Sequence, residues 1–210
     1  MADGSEQPKD SSAAATRLRL FVAINLPPDV QSALGAIQQE APDLSRNVRW
    51  ALLEQLHLTL KFLGPIDAAL VPEIEVALSV AVKNSSVMTL RAEGIGCFPN
   101  PNRPRILWAG IAGELDRLLD LQSRVEKALN RWVEPEKRPY AGHVTLARIT
   151  ELPSTGRSLL KGLLVRYAGS GFGKWQATKV DLMQSVLSSR GSVYKCLASI
   201  TLRERGVDTD

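Results

Sequence analysis

Strand-forming runs come mostly in pairs along this chain, and that spacing restricts the class of fold open to it. Residues 18–26 (LRLFVAINL) are an apolar, β-branched run, and 48–53, 56–63, 87–94, 105–111, 142–149, 175–187 and 192–203 read the same way. Between them lie stretches with helical spacing. The first is opened by Pro27, Pro28 and Asp29 and carries Val30, Leu34 and Ile37 on one stripe. A second covers 68–83, and a short one lies near 158–167. The longest, over 114–132, has Leu115, Leu118, Leu119, Val125 and Leu129 apolar. Strict strand–helix alternation would signal a parallel sheet, whereas strands paired between helices signal α+β with largely antiparallel sheets. Gly64-Pro65 punctuates the end of one strand, 97–104 (CFPNPNRP) reads as an irregular loop, and 169–174 (GSGFGK) as a flexible connection.

At 210 residues and 44% hydrophobic content the chain suits one domain, or two intimately packed lobes, better than two independent units. Residues 1–16 (MADGSEQPKDSSAAAT) have no apolar run and no Arg-rich amphipathic pattern. They read as a disordered tail rather than a targeting segment. Residues 204–210 form a second tail, leaving 17–203 as a single bilobal domain. No stretch approaches the roughly 20 apolar residues that span a bilayer, so the expected setting is the cytoplasm. Cys97 and Cys196, far apart and without CxxC spacing, read there as reduced core thiols. Net charge is +4, but residues 17–203 hold 24 basic against 16 acidic side chains, a surplus of +8 that suits an anionic substrate.

The chemistry concentrates in two tetrapeptides, His57-Leu58-Thr59-Leu60 and His143-Val144-Thr145-Leu146, which use both histidines of the protein. With 9 Thr and 30 Leu in 210 residues, chance puts Thr two positions and Leu three positions after a given histidine about 0.6% of the time, so a matched pair is not accidental. Side chains alternate along a strand, so each motif sets an imidazole beside a hydroxyl on one face and leucine or valine on the other. Two such imidazoles across a cleft can act on a phosphodiester: the neutral one takes a proton from water and the protonated one supplies a proton to the leaving oxygen. The threonine hydroxyls can donate to the non-bridging phosphate oxygens. Neither motif contains an acid and there is no third histidine, which makes a poor metal-ligand set. No cofactor is expected.

These motifs resemble the two HxTx signatures of the two-histidine phosphoesterase superfamily, specifically its RNA 2′,3′-cyclic phosphodiesterase branch, historically called 2′-5′ RNA ligases. The likeness extends, in order, through Arg17-Leu-Arg-Leu-Phe-Val-Ala-Ile, Val48-Arg-Trp with Gln55-Leu-His-Leu-Thr-Leu-Lys-Phe-Leu-Gly64, Arg103-Pro-Arg-Ile-Leu-Trp-Ala-Gly110, and residues 140–148. The resemblance implies a bilobal fold with two antiparallel sheets lining a central groove and helices outside. It also implies opening of RNA cyclic phosphate ends to 2′-phosphomonoesters without metal, with His57 as proton donor and His143 as acceptor. Reversible 2′-5′ ligation would follow from the same groups.

Further substrate-binding candidates are Lys61, which has the parity of His57 and Thr59; Arg148, which has the wrong parity for His143 unless the strand bends; and Phe98, which could stack on a terminal base. Tyr194 and Ser185 are additional candidates. The expected partner is an RNA or oligonucleotide end bearing a cyclic phosphate, met by a monomer with no membrane attachment. Residues 169–174 lack the spacing of a phosphate loop, and Lys179-Val-Asp-Leu182 lacks the glycine of an ATP-dependent ligase motif. The alternatives are a non-catalytic RNA-end or nucleotide-binding module, or the same centre acting on 2′-5′ oligonucleotides or cyclic nucleotide phosphates.

Overall fold

The computed structural model describes residues 16–41, 44, 47–188 and 191–204. The two expected tails, apart from Thr16 and Glu204, lie outside the described residues. In order the elements are β1 (Arg17–Asn25), α1 (Pro28–Gln39), β2 (Val48–Trp50), β3 (His57–Asp67), α2 (Val71–Val82), β4 (Met88–Phe98), β5 (Ile106–Gly113), α3 (Leu115–Leu129), β6 (His143–Ile149), α4 (Ser154–Arg166), β7 (Gly171–Ala177), β8 (Lys179–Ser188) and β9 (Gly191–Thr201). The fold is α+β, as the strand pairing implies.

All strand pairings between these elements are antiparallel. The strands run in the order β7-β4-β5-β6-β3-β1-β8-β9, with β2 added to β6. The two expected sheets are thus two halves of one, β7-β4-β5-β6 and β3-β1-β8-β9, joined at the middle through a single residue pair, Leu58 with Val144. The expected strand over 175–187 is two strands: β7 ends at Ala177 on one edge of the order and β8 begins at Lys179 near the other. One residue, Thr178, links them. A single residue spans only about 3.5 Å. The sheet must therefore curl until its ends approach.

One continuous core fills the helix-covered side. Val30, Leu34 and Ile37 of α1 are buried as their spacing implies, beneath a helix that begins with proline in its first turn and Asp29 near its N-terminus. On α3 the buried stripe is Leu118, Leu121, Val125 and Leu129, while Leu115 and Leu119 are exposed, because they fall on the flank of a 3.6-residue repeat. Among the described residues no helix is long and apolar enough to cross a membrane.

Three local expectations change. Strand β3 runs through Gly64 and Pro65, which pair with Leu20 and Arg19 beyond a bulge at Leu63. A proline is tolerated at such an irregularity because the ladder does not need its missing N–H. The segment expected to be a flexible connection at 169–174 enters edge strand β7, where Phe172, Trp175 and Ala177 bury one face and the backbone pairs with β4. Cys97 is buried as expected, whereas Cys196 is exposed.

Candidate active site

Leu58 and Val144 lie fully buried where β3 meets β6. Their neighbours project to the opposite, open face: His57 and Thr59 from β3, His143 and Thr145 from β6. Continuing the antiparallel register by one residue aligns His57 with Thr145 and Thr59 with His143. The two motifs, 86 positions apart in the chain, form one patch.

Just beyond it each strand makes the same irregularity. On β1, Ala23 pairs with Thr59 and Val22 with Lys61, so Leu60 is skipped. On β5, Trp108 pairs with Thr145 and Leu107 with Ala147, so Leu146 is skipped. A bulge at the fourth residue of each motif reverses the parity of the residues after it. Lys61 consequently turns to the core face beside Val22 rather than to the histidines. Its side chain is 3% exposed and its ammonium lies 2.5 Å from the Glu126 carboxylate of α3. Arg148 gains what Lys61 loses, because the bulge at Leu146 brings it to the face of His143 and Thr145. Phe62, opposite Phe21 and 66% exposed, reaches the same open face at the corresponding offset after His57. Regular alternation hides Phe62; its signal is that it and Arg148 both stand five residues after a motif histidine.

Both imidazoles are held alike. Nδ1 of His57 lies 2.7 Å from the carbonyl of Gln55, and Nδ1 of His143 lies 2.8 Å from that of Ala141, each two residues earlier. A carbonyl only accepts, so Nδ1 carries the proton in the neutral ring and Nε2 keeps the lone pair. Gln55 closes the 3₁₀ turn Leu53–Gln55. Ala141 follows Tyr140, whose hydroxyl donates to the backbone carbonyl of Thr59 at 2.9 Å and so ties the approach to the second motif onto the strand of the first. Burial pushes the Tyr140 phenol far above its ordinary range, so it stays a neutral donor.

Aromatic rings wall in both histidines. Phe21 lies 4.8 Å from the His57 ring centre and Tyr194 stands edge-on at 5.2 Å. Phe98 stands edge-on to His143 at 5.1 Å, with Trp108 at 6.4 Å. The Trp108 indole lies over Gly96, where a Cβ would sit 2.2 Å from the ring, so only glycine admits it. Ser185 pairs with Tyr194 on β9 and Arg19 on β1. Beside the Gln55 turn a cavity of about 400 Å³ is lined by Asn25, Gln31, Glu54, Gln55, Met183 and Tyr194. Burial pushes the His57 pKa below the ordinary 6.5; the Gln55 carbonyl opposes this, and the nearby His143 adds to the lowering. Among the described residues no three His, Cys, Asp or Glu side chains gather as a metal site.

The sequence matches the family described as LigT-like phosphoesterase over residues 24–108 and 110–194, and each stretch contains one of the two motifs. Curated relatives named RNA 2′,3′-cyclic phosphodiesterase include one from Aquifex aeolicus, 30% identical over 179 residues that cover 84% of this chain and 93% of the relative. Another, from Aeropyrum pernix, is 32% identical over 157 residues, 73% of this chain and 85% of the relative. Among solved structures, one from Thermus thermophilus superposes with a TM-score of 0.74 at 27% identity, covering 90% of this chain and 100% of that one. The apo form of E. coli LigT superposes with a TM-score of 0.69 at 24% identity, over 89% and 98% of the two chains, a likeness of fold.

Proposed function

Because the chain belongs to the LigT-like phosphoesterase family, and is on that ground a phosphoesterase, we propose that it opens the 2′,3′-cyclic phosphate end of RNA to a 2′-phosphomonoester by acid–base catalysis between His57 and His143. The observation that carries this reading is the mirrored presentation of the two rings, each tied by Nδ1 to a backbone carbonyl and leaving Nε2 for the open face. Relatives bearing the name RNA 2′,3′-cyclic phosphodiesterase support the substrate.

In the reaction, Nε2 of His143 accepts a proton from water as the water oxygen bonds to phosphorus. The P–O3′ bond breaks, and protonated Nε2 of His57 donates to the departing O3′. Thr59, Thr145 and Arg148 donate to the non-bridging oxygens, and the guanidinium can do so through two N–H groups at once. Phe62 offers an exposed ring to the terminal base, while Phe98 braces His143. No step calls for a metal ion. With a 5′-hydroxyl in place of water as the nucleophile, the same groups would join ends through a 2′-5′ linkage, breaking the same P–O3′ bond, and the reverse of that step would cleave the linkage, a secondary activity. The unit that carries this chemistry is a single bilobal domain over residues 17–203.

A short RNA ending in a 2′,3′-cyclic phosphate, incubated with the protein in excess chelator, is expected to yield a phosphatase-sensitive 2′-phosphomonoester. Turnover that disappears on chelation defeats the metal-free mechanism. Binding without turnover identifies a non-catalytic RNA-end module instead.

The pH profile is a second expected result. kcat/KM reports groups of the free enzyme, in which the His57 pKa lies below 6.5. Since His57 must be protonated to donate while His143 must be neutral to accept, kcat/KM is bell-shaped and falls at high pH, and its limbs report macroscopic values of the pair. A bound phosphodiester anion favours the imidazolium. The corresponding limb of kcat therefore lies at higher pH. Coincident high-pH limbs, or a kcat/KM that does not fall at high pH, would contradict the donor role of His57.

A further inference from the structure

Strand β2 joins β6 just past the point where β3 meets it: Val48 pairs with Ile149, Arg49 with Arg148 and Trp50 with Ala147. The amide of Ala51 donates to the bulged carbonyl of Leu146 at 2.8 Å, fixing β2 against the irregularity that aims Arg148. Val48, Ile149 and Ala147 are buried toward the core, so Arg49 alone of the three β2 residues points to the open face, directly opposite Arg148. Directly opposed residues have Cβ atoms roughly 4.5–5.5 Å apart, and like charges so placed repel. Among the described residues neither guanidinium has an ion pair or hydrogen bond, in contrast with Arg91, Arg117, Arg124, Arg131 and Arg166, which each meet a carboxylate. The row continues through Ile106 and Phe98, which carry no charge.

We propose that Arg49, beside Arg148, forms a second anion subsite that takes the 5′-phosphate of the terminal nucleotide, so that the protein selects RNA ends over mononucleoside cyclic phosphates. This rests on the cyclic phosphodiesterase reading of the site. A cyclic phosphodiester carries one negative charge, and its non-bridging oxygens already meet Thr59, Thr145 and Arg148. Arg49 stands one strand spacing further out, about 4.8 Å. Its charge is in excess of what the scissile phosphate requires, and the next anion along an RNA chain is the 5′-phosphate of the same nucleotide.

The test compares adenosine 2′,3′-cyclic phosphate with its 5′-phosphorylated counterpart as substrates of the full chain, and 2′-AMP with adenosine 2′,5′-bisphosphate as equilibrium ligands. The wild-type protein is expected to prefer the 5′-phosphorylated member of each pair by about tenfold, the size of one charge-assisted hydrogen bond, with the substrate preference residing in KM. Arg49→Gln brings both ratios toward one, while its melting temperature does not fall because a like-charge pair is relieved. Arg148→Gln weakens both members of each pair. A wild-type ratio near one, or a ratio unchanged in Arg49→Gln, overturns the subsite while turnover of adenosine 2′,3′-cyclic phosphate leaves the phosphodiesterase reading standing. Absent turnover with an Arg49-dependent binding preference overturns that reading and upholds the anion site.

Discussion

Replacing His57 or His143 by alanine is expected to lower kcat/KM on a cyclic-phosphate RNA end by about 10² to 10⁴ for each, because a positioned general acid or base contributes that much. The double replacement should cost much less than the product of the two. Proton donation and acceptance are halves of one displacement, and once either is missing the other has little left to assist. Both rings lie on the open face, away from the continuous core, so the variants should fold. Circular dichroism and melting curves check this alongside initial rates. Turnover retained in both single variants would remove the two-imidazole mechanism. Strictly multiplicative losses would mean that the rings act in separate steps.

The second large effect concerns stability. Glu126→Ala leaves the Lys61 ammonium, 3% exposed, without its counter-ion. Glu126 also accepts from the Gln122 side-chain amide at 3.4 Å and the Glu136 backbone amide at 3.2 Å, so three donors lose their acceptor together. Stranding one member of a buried ion pair costs about 3–5 kcal/mol. For a chain of this size each kcal/mol corresponds to about 2–4 °C, so the melting temperature should fall by roughly 6–20 °C. Replacing both partners by apolar residues of similar volume, Lys61→Met with Glu126→Leu, should recover most of the loss, since no charge then remains to be desolvated. The comparison also locates Lys61. If Lys61→Met alone destroyed turnover while shifting the melting temperature little, the ammonium would belong to the phosphate and not to α3.

Lys61 and Arg148 show where reading the sequence stops. Regular alternation puts Lys61 with His57 and puts Arg148 against His143, and each assignment reverses at a bulged residue of its own strand, Leu60 and Leu146. Nothing within His57-Leu58-Thr59-Leu60 announces that irregularity, because a bulge is a mismatch between two strands: Thr59 meets Ala23 while Lys61 meets Val22. The glycine-rich start of β7 was hidden for a related reason. Its order as an edge strand comes from the β4 ladder, and its own composition argues the other way. Arg49 takes its place only through the pairing of β2 with β6, which sets it opposite Arg148.

What the sequence determined by itself was whatever a single segment can encode. The apolar periods of α1 and the strands, the grouping of strands that makes the fold α+β, and the placing of each histidine two residues from a threonine on one strand face are all local. The tertiary structure alone decided which strand each would meet and in what register: that Leu58 would join Val144, that Gln55 and Ala141 would fix the rings, and that bulges at Leu60 and Leu146 would send Lys61 inward and Arg148 outward. Periodicity belongs to one strand. Register belongs to two, and it is settled by the packing and hydrogen bonding of the pair.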